Sequence, residues 1–171
     1  LDQGVKGLKI GKPIEAFNET MNPAVKELME KNLDRLAQLG AQVVDISLPH
    51  SKYGIAVYYI ITPSEVSSNL ARFDGVSDGL SAQDSQSVKP IYTKSKSQGF
   101  GPEAKRRIML GTYALSSGYY DAYYKKAQQV RTIIRREMDE ALSEVDLITT
   151  PTSYGTAFEI GKKSDDPLSM Y

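Results

Sequence analysis

The 171-residue chain is 40% hydrophobic and 25% charged, which suits one sizeable folded core and does not suit a disordered segment. Lysine plus arginine equals aspartate plus glutamate at 21 each, so no net field draws the chain to a polyanion, and a dedicated nucleic-acid binder is disfavoured. Cysteine is absent, which excludes a disulfide framework and a thiolate metal site. No apolar run approaches the ~20 residues of a membrane span, and Leu1 opens neither with an initiator methionine nor with a signal-peptide pattern. The expectation is a cytoplasmic chain cut from a longer one.

Leu8-Lys9-Ile10-Gly11-Lys12 alternates and stops at Pro13, which predicts a short strand. Asn22 then offers an N-cap with Pro23 at the first helical position. Val25, Leu28, Met29, Leu33, Leu36 and Leu39 recur at helical spacing until Gly40 closes the helix. Gln42 to Leu48 returns to an extended pattern with Val44, Ile46 and Leu48 on one side, ended by Pro49. Strand, helix and strand with short links form a βαβ unit, hence a parallel pair.

Val57 to Phe73 reads as a helix despite Pro63, because Val66, Leu70 and Phe73 keep a helical interval. Asp74 to Gly101 is rich in glycine, serine, aspartate and glutamine, and reads as a long excursion loop of functional or mobile kind. Two helices are expected next, at 102–121 and 122–143, the second striped by Ala127, Val130, Ile134, Met138 and Leu142. Leu147 to Thr150 predicts a last strand before Pro151. With no repeat and no linker, residues 1–171 are expected to form a single domain fragment.

The chemistry-bearing residues are sparse. His50 is the single histidine, so a Ser-His-Asp triad would have to use it; a loop histidine on the surface is the expectation. No metal-ligand spacing, phosphate-binding glycine loop or dinucleotide fingerprint occurs, and Gly99-Phe100-Gly101 alone is too weak to count. Asp165-Asp166 before Pro167 reads as turn chemistry. Lys125, Lys126, Arg131, Arg135 and Arg136, followed by Glu137, Asp139 and Glu140, read as the solvated face of an amphipathic helix. Arg107 stands apart. On a helix it shares one face with Gly111, Ala114 and Gly118, a stripe of small residues that admits a close neighbour. That spacing fits a ligand beside the arginine and fits plain helix packing equally.

"SEVSSNLARFDGV" (64–76), "GFGPEAKRRIMLGTYALSSGYYDAYYKKAQQVRTII" (99–134), "VDLITTPT" (145–152) and "AFEIGKKSDDPLSMY" (157–171) resemble the amidase-signature family. Within that family they are most similar to the glutamine-amidase subunits of tRNA-dependent transamidation complexes, over nearly the whole chain and in order. Ser77-Asp78 after Asp74-Gly75-Val76, where arginine and tyrosine are usual, and Lys94 in place of an arginine depart from the pattern.

The resemblance implies an α/β fold with a mixed sheet flanked by helices, of which this chain is an incomplete fragment. It implies a subunit that releases ammonia from L-glutamine, so that B- and C-type partner subunits convert Glu-tRNA(Gln) to Gln-tRNA(Gln). ATP and magnesium would be used in a partner subunit, with no cofactor or metal in this one. The family's nucleophilic serine, its second serine and its lysine lie in a "GGSSGGS" segment and upstream of it. Nothing in residues 1–171 matches them, so no catalytic residue is carried over and the isolated fragment is expected to be inactive. The resemblance assigns Arg107 to the glutamine α-carboxylate and Tyr58 to the same pocket, and puts an aspartate for the α-amino group just beyond Tyr171. Most of the tyrosines and the other basic residues are left to packing and solvent, with Tyr119, Tyr120, Tyr123 and Tyr124 expected near a helix junction, where a ring can be buried and its hydroxyl still reach a polar partner. Another amidase-signature hydrolase and a non-catalytic scaffold module are the rival readings.

Overall fold

The computed structural model describes residues 4–19, 21–82, 87–157 and 159–160. They fall into two compact units, Leu1–Lys52 with Thr132–Tyr171, and Tyr53–Arg131.

The first unit is built on a three-stranded sheet, β1 (Lys9–Pro13), β2 (Gln42–Ile46) and β3 (Leu147–Ile148), in the order β2-β1-β3. Both pairings are parallel, with Ile10 opposite Val43 on one side and Leu147 on the other. The α1 helix (Pro23–Gln38) makes the β1–β2 crossover, and its ends follow the predicted chemistry. Asn22 Oδ1 accepts the Ala24 N–H at 2.9 Å, a cap worth about 1 kcal/mol, with Pro23 behind it. Gly40 turns the chain at φ +97°, where a side chain would be strained, and its carbonyl accepts the Gly7 N–H at 2.8 Å. Ile10, Phe17, Met21, Leu33 and Ala41 form the core, with Val25, Met29 and Leu36 packed against it. Leu28 and Leu39 do not join it and lie on the exposed side of α1.

The β3 strand is short but tied at both ends. The Lys9 N–H donates to Asp146 Oδ2 at 2.7 Å, the Asp146 N–H to the Lys9 carbonyl at 2.9 Å, and the Thr149 N–H to the Gly11 carbonyl at 2.9 Å. The fit at Gly11 is close: a Cβ there would meet Ile46 Cδ1 at 2.9 Å and Val145 Cγ2 at 3.1 Å.

The second unit is helical: α2 (Gly54–Leu70), α3 (Val88–Gly99) and α4 (Pro102–Leu115), with the start of α5 (Lys126–Glu144). The α2 helix continues through Pro63. Proline has no N–H to give the preceding turn, and the buried Ser64 hydroxyl answers nearby by donating to the Ile60 carbonyl at 2.7 Å.

Three expectations need correction here. The excursion loop is not structureless throughout, since α3 occupies Val88–Gly99. Proline is tolerated in a first helical turn, so Pro90 does not prevent it. The residue that α3 buries is Ser95, whose hydroxyl accepts the Ala82 N–H at 2.9 Å, while Val88 and Tyr92 remain exposed. Upstream, Asp74 Oδ1 accepts N–H groups from Val76, Ser77 and Asp78, which closes a tight turn.

The helix expected at 102–121 ends at Leu115. Gly118 then takes φ +87°, and Asp121–Lys125 winds as one π-helical turn before α5. The α5 stripe holds at Ala127, Val130 and Ile134, which are buried or partly buried, and shifts only after them. Met138 and Leu142 are exposed, while Glu137 is partly buried and Ala141 fully so. Glu137 can turn inward because its carboxylate accepts the His50 N–H at 3.1 Å and meets the His50 Nδ1. Asp165-Asp166 lie outside the described residues.

Candidate functional site

The site that the sequence singled out lies in the helical unit, where α4 packs along α2. Gly111 is the point of closest approach: an added Cβ would overlap the Pro63 carbonyl and sit 2.8 Å from the Ser64 nitrogen. Ala114, one turn on, is also buried. Gly118 lies past the end of α4 with open space around its Cα, so the expected stripe holds for Gly111 and Ala114 and fails at Gly118.

The Gly111–Pro63 contact sets the register of everything one turn earlier. Arg107 precedes Gly111 by four residues and Tyr58 precedes Pro63 by five, so the two side chains meet. Arg107 Nη1 donates to the Tyr58 hydroxyl at 2.9 Å, and the guanidinium carbon lies 6.0 Å from the centre of the Tyr58 ring. The Tyr58 ring is itself set edge-on against Tyr59, with centroids 5.6 Å apart.

Glu103 completes the cluster from the first turn of α4. Its Oε1 accepts from Arg107 Nε at 2.8 Å and its Oε2 contacts the Arg106 guanidinium. Exposure separates the two arginines, since the Arg107 side chain is 21% exposed and the Arg106 side chain 52%. The hydrogen bond to Glu103, then that to Tyr58, pushes the Arg107 guanidinium further above its ordinary range. The same bond from Arg107 holds the Glu103 carboxyl below its own. Arg107 is therefore permanently cationic, partly shielded and held from two helices, as an anchor for an anionic group needs to be.

The sequence reasoning brought Arg107 and Tyr58 to one site, and the structure places them in hydrogen-bond contact. It missed Glu103. The signal was available, since a glutamate four residues before an arginine on a helix is a favourable pair.

The tyrosines lie at the α4–α5 junction as expected, but most of their rings are open to solvent. Tyr119, Tyr120 and Tyr123 are 41–45% exposed, so their rings are not buried. Tyr113, Tyr119 and Tyr123 instead lean on one another, with centroids 4.3–6.2 Å apart. A hydrogen bond with Tyr119 leaves the Tyr113 hydroxyl pushed up to about 12. Tyr124 does find polar partners, donating to Glu65 Oε1 at 3.0 Å and accepting from Gln128 Nε2 at 3.0 Å.

In the first unit, Glu137, whose carboxylate meets His50, lines an open depression of about 320 Å³ together with Glu140 and Glu144. Among the described residues no group of three or more His, Cys, Asp or Glu side chains is arranged to hold a metal ion. No described helix is long and apolar enough to cross a membrane.

A parallel β-sheet with its crossover helix, joined in sequence to helices that hold a partly exposed arginine against a tyrosine, defines an α/β protein. The chain belongs to the amidase family, whose model matches residues 2–171. Among the glutamyl-tRNA(Gln) amidotransferase A subunits, it is 54% identical over 171 residues to that of Myxococcus xanthus (strain DK1622), covering 100% of this chain and 35% of the relative. Identity to the protein of the same name from Persephonella marina (strain DSM 14350 / EX-H1) is also 54%, with the same coverage. The crystal structure of the same amidotransferase component from Thermotoga maritima superposes with a TM-score of 0.67 at 40% identity, covering 98% of this chain and 31% of that one. A solved amidase at 22% identity, also with a TM-score of 0.67, shares the fold. The chain thus spans about a third of the length of these relatives.

Proposed function

We propose that this chain is the substrate-anchoring part of a glutamine amidase subunit in a tRNA-dependent transamidation complex. The observation that carries the reading is the Arg107–Tyr58 pair, joined at 2.9 Å across α2 and α4. In this reading Arg107 receives the α-carboxylate of L-glutamine, because a planar guanidinium can offer two parallel N–H donors to the two carboxylate oxygens. Tyr58 accepts from the same guanidinium, which sets its ring and hydroxyl beside the bound amino acid.

The role of these residues is to bind and orient. A substrate held by its α-carboxylate presents its side-chain amide at a fixed distance, which is how positioning lowers the barrier of the chemical step. The chemistry itself belongs to the family's serine pair and lysine: the serine oxygen attacks the amide carbon, ammonia leaves, and water hydrolyses the acyl-enzyme to glutamate. None of those residues has a counterpart in this sequence, so the chain by itself is not a glutaminase. The ammonia would serve B- and C-type partner subunits, which use ATP and magnesium to turn Glu-tRNA(Gln) into Gln-tRNA(Gln) in the cytoplasm; this subunit itself would use no cofactor. Support comes from the 54% identity to amidotransferase A subunits along the whole chain. The test is to compare Arg107→Ala on glutamine and on an amide without an α-carboxylate, in a full-length amidase carrying these residues.

A further inference from the structure

The zero net charge of the chain conceals a separation. Residues 53–131, the helical unit, carry ten lysines and arginines against six acids, while the rest of the chain carries eleven against fifteen. Within the helical unit the excess gathers at α3, whose 12 residues hold three lysines and no acid. Four of the six acids are engaged elsewhere: Glu65 with Tyr124, Asp74 with N–H groups of its own turn, Glu103 with Arg106 and Arg107, and Asp121 with Lys125. Asp78 is exposed, and Asp84 lies outside the described residues. We infer that the face of α3 formed by Lys89, Tyr92, Thr93 and Lys96 is a contact surface for the phosphate backbone of RNA, which in the transamidation reading is the glutamate-bearing tRNA. The inference rests on that reading and adds to it a place where this chain itself touches the RNA.

Lys89, Thr93 and Lys96 follow one another at helical steps of four and three, and Tyr92 stands one turn before Lys96. The residue that α3 buries is Ser95, whereas Lys89, Tyr92 and Thr93 are exposed and Lys96 is half-buried. Lys96 Nζ lies 4.4 Å from the centre of the Tyr92 ring and donates to the Ala71 carbonyl at 3.5 Å. Lys105, from α4, donates to the Ser97 carbonyl at 2.6 Å, and the exposed Arg72 follows Ala71 directly. These contacts fix the ammonium groups in place. Because they end on a ring and on carbonyls, they leave the positive charge for a further anion. Phosphate oxygens accept from lysines and from hydroxyl and amide donors, and α3 offers all three kinds in Lys89, Thr93, Ser97 and Gln98. The 42% exposed ring of Tyr92 gives a base something to stack on. An acidic protein segment would match the charge, but the mixture of lysine, hydroxyl, amide and one open ring is the set that RNA contact uses.

The test measures binding of a tRNA(Gln) transcript, by fluorescence anisotropy across a salt series, to the full-length subunit in its complex. Lys89→Gln with Lys96→Gln removes two charges from the face, and Lys89→Arg with Lys96→Arg keeps them. Lys125→Gln with Lys126→Gln removes the same charge from the α4–α5 junction. The glutamine pair on α3 should raise Kd about threefold to tenfold and lower the slope of log K against log salt by about 1 to 2. The arginine pair and the junction pair should stay near wild type, and ammonia release from glutamine without RNA should be unchanged in all. Lys89→Gln alone, at an exposed position, should show a smaller loss of the same kind and decides the outcome if the pair folds poorly. Unchanged Kd and slope in the α3 glutamine variants, an arginine pair as weak as the glutamine pair, or equal weakening by the junction pair each overturns the surface. Loss of a partner subunit in place of RNA affinity does so too, and points to an acidic protein contact. The glutamine reading is judged separately, by Arg107→Ala on glutamine turnover without RNA: if that variant is unimpaired, the glutamine reading falls, and if it is impaired while the α3 variants bind RNA as wild type does, only the RNA surface falls.

Discussion

Replacing Arg107 by alanine removes a guanidinium whose edges meet Glu103 at 2.8 Å and Tyr58 at 2.9 Å, and whose side chain is only 21% exposed. A charge-assisted hydrogen bond to a ligand is worth about 1.5–3 kcal/mol. At about 1.4 kcal/mol per factor of ten, glutamine kcat/KM should fall roughly tenfold to a hundredfold. Arg107→Lys restores the charge without the planar fork and should lie between the two. Arg106→Ala should cost far less, because Arg106 is 52% exposed and engages Oε2 of Glu103, not Tyr58. The assay is steady-state ammonia release by the full-length subunit, with an amide lacking the α-carboxylate as control. Unchanged kcat/KM for glutamine in Arg107→Ala, or a larger loss in Arg106→Ala, would refute the assignment and return Arg107 to helix packing.

Gly111→Ala places a methyl group against the Pro63 carbonyl, so α4 must move off α2; a loss of about 1–3 kcal/mol is expected, read as a lower denaturation midpoint and a weaker Arg107-dependent glutamine affinity, while unchanged stability would contradict the close approach. Glu15 gives a pH dependence. Burial works to raise its carboxyl, but bonds donated by Ser47 Oγ at 2.6 Å and by the Leu48 N–H at 2.9 Å prevail and hold it below the ordinary range. A carboxyl lowered by folding contributes stability that is complete above the ordinary carboxylate pKa and is lost as pH falls through the lowered folded value. Glu15→Gln should therefore destabilise the chain at neutral pH and flatten the acid limb of its stability curve; an unchanged acid limb in thermal melts would refute this.

The first unit was legible because local signals agree there. Asn22-Pro23, the spacing from Val25 to Leu36, and Gly40 all mark the same helix, and its two flanking alternating runs leave parallel pairing as the simple solution. The α3 helix was hidden because its buried position is Ser95, so no apolar stripe announces it. The α4–α5 junction was misplaced because Tyr113, Tyr119, Tyr120 and Tyr123 mimic an apolar pattern while staying exposed, and Gly118 was counted as a packing residue instead of a turn. At the site, spacing alone found Arg107 but left its purpose open. Tyr58 lies 49 positions away on another helix, and only the family resemblance joined it to Arg107 before the structure did. Glu137 was assigned to the solvated face, since nothing local to α5 shows that His50 would meet it.

The central claim is that Arg107 and Tyr58 act together on a substrate carboxylate. The most direct measurement is a double-mutant cycle in the full-length amidase, with Arg107→Ala, Tyr58→Phe and the pair assayed for kcat/KM on glutamine and on an amide without the α-carboxylate. A joint site predicts that Tyr58→Phe costs clearly less in the Arg107→Ala background than in the wild type on glutamine, and that neither change matters on the control amide. Additive losses on glutamine, or equal losses on both substrates, would contradict it.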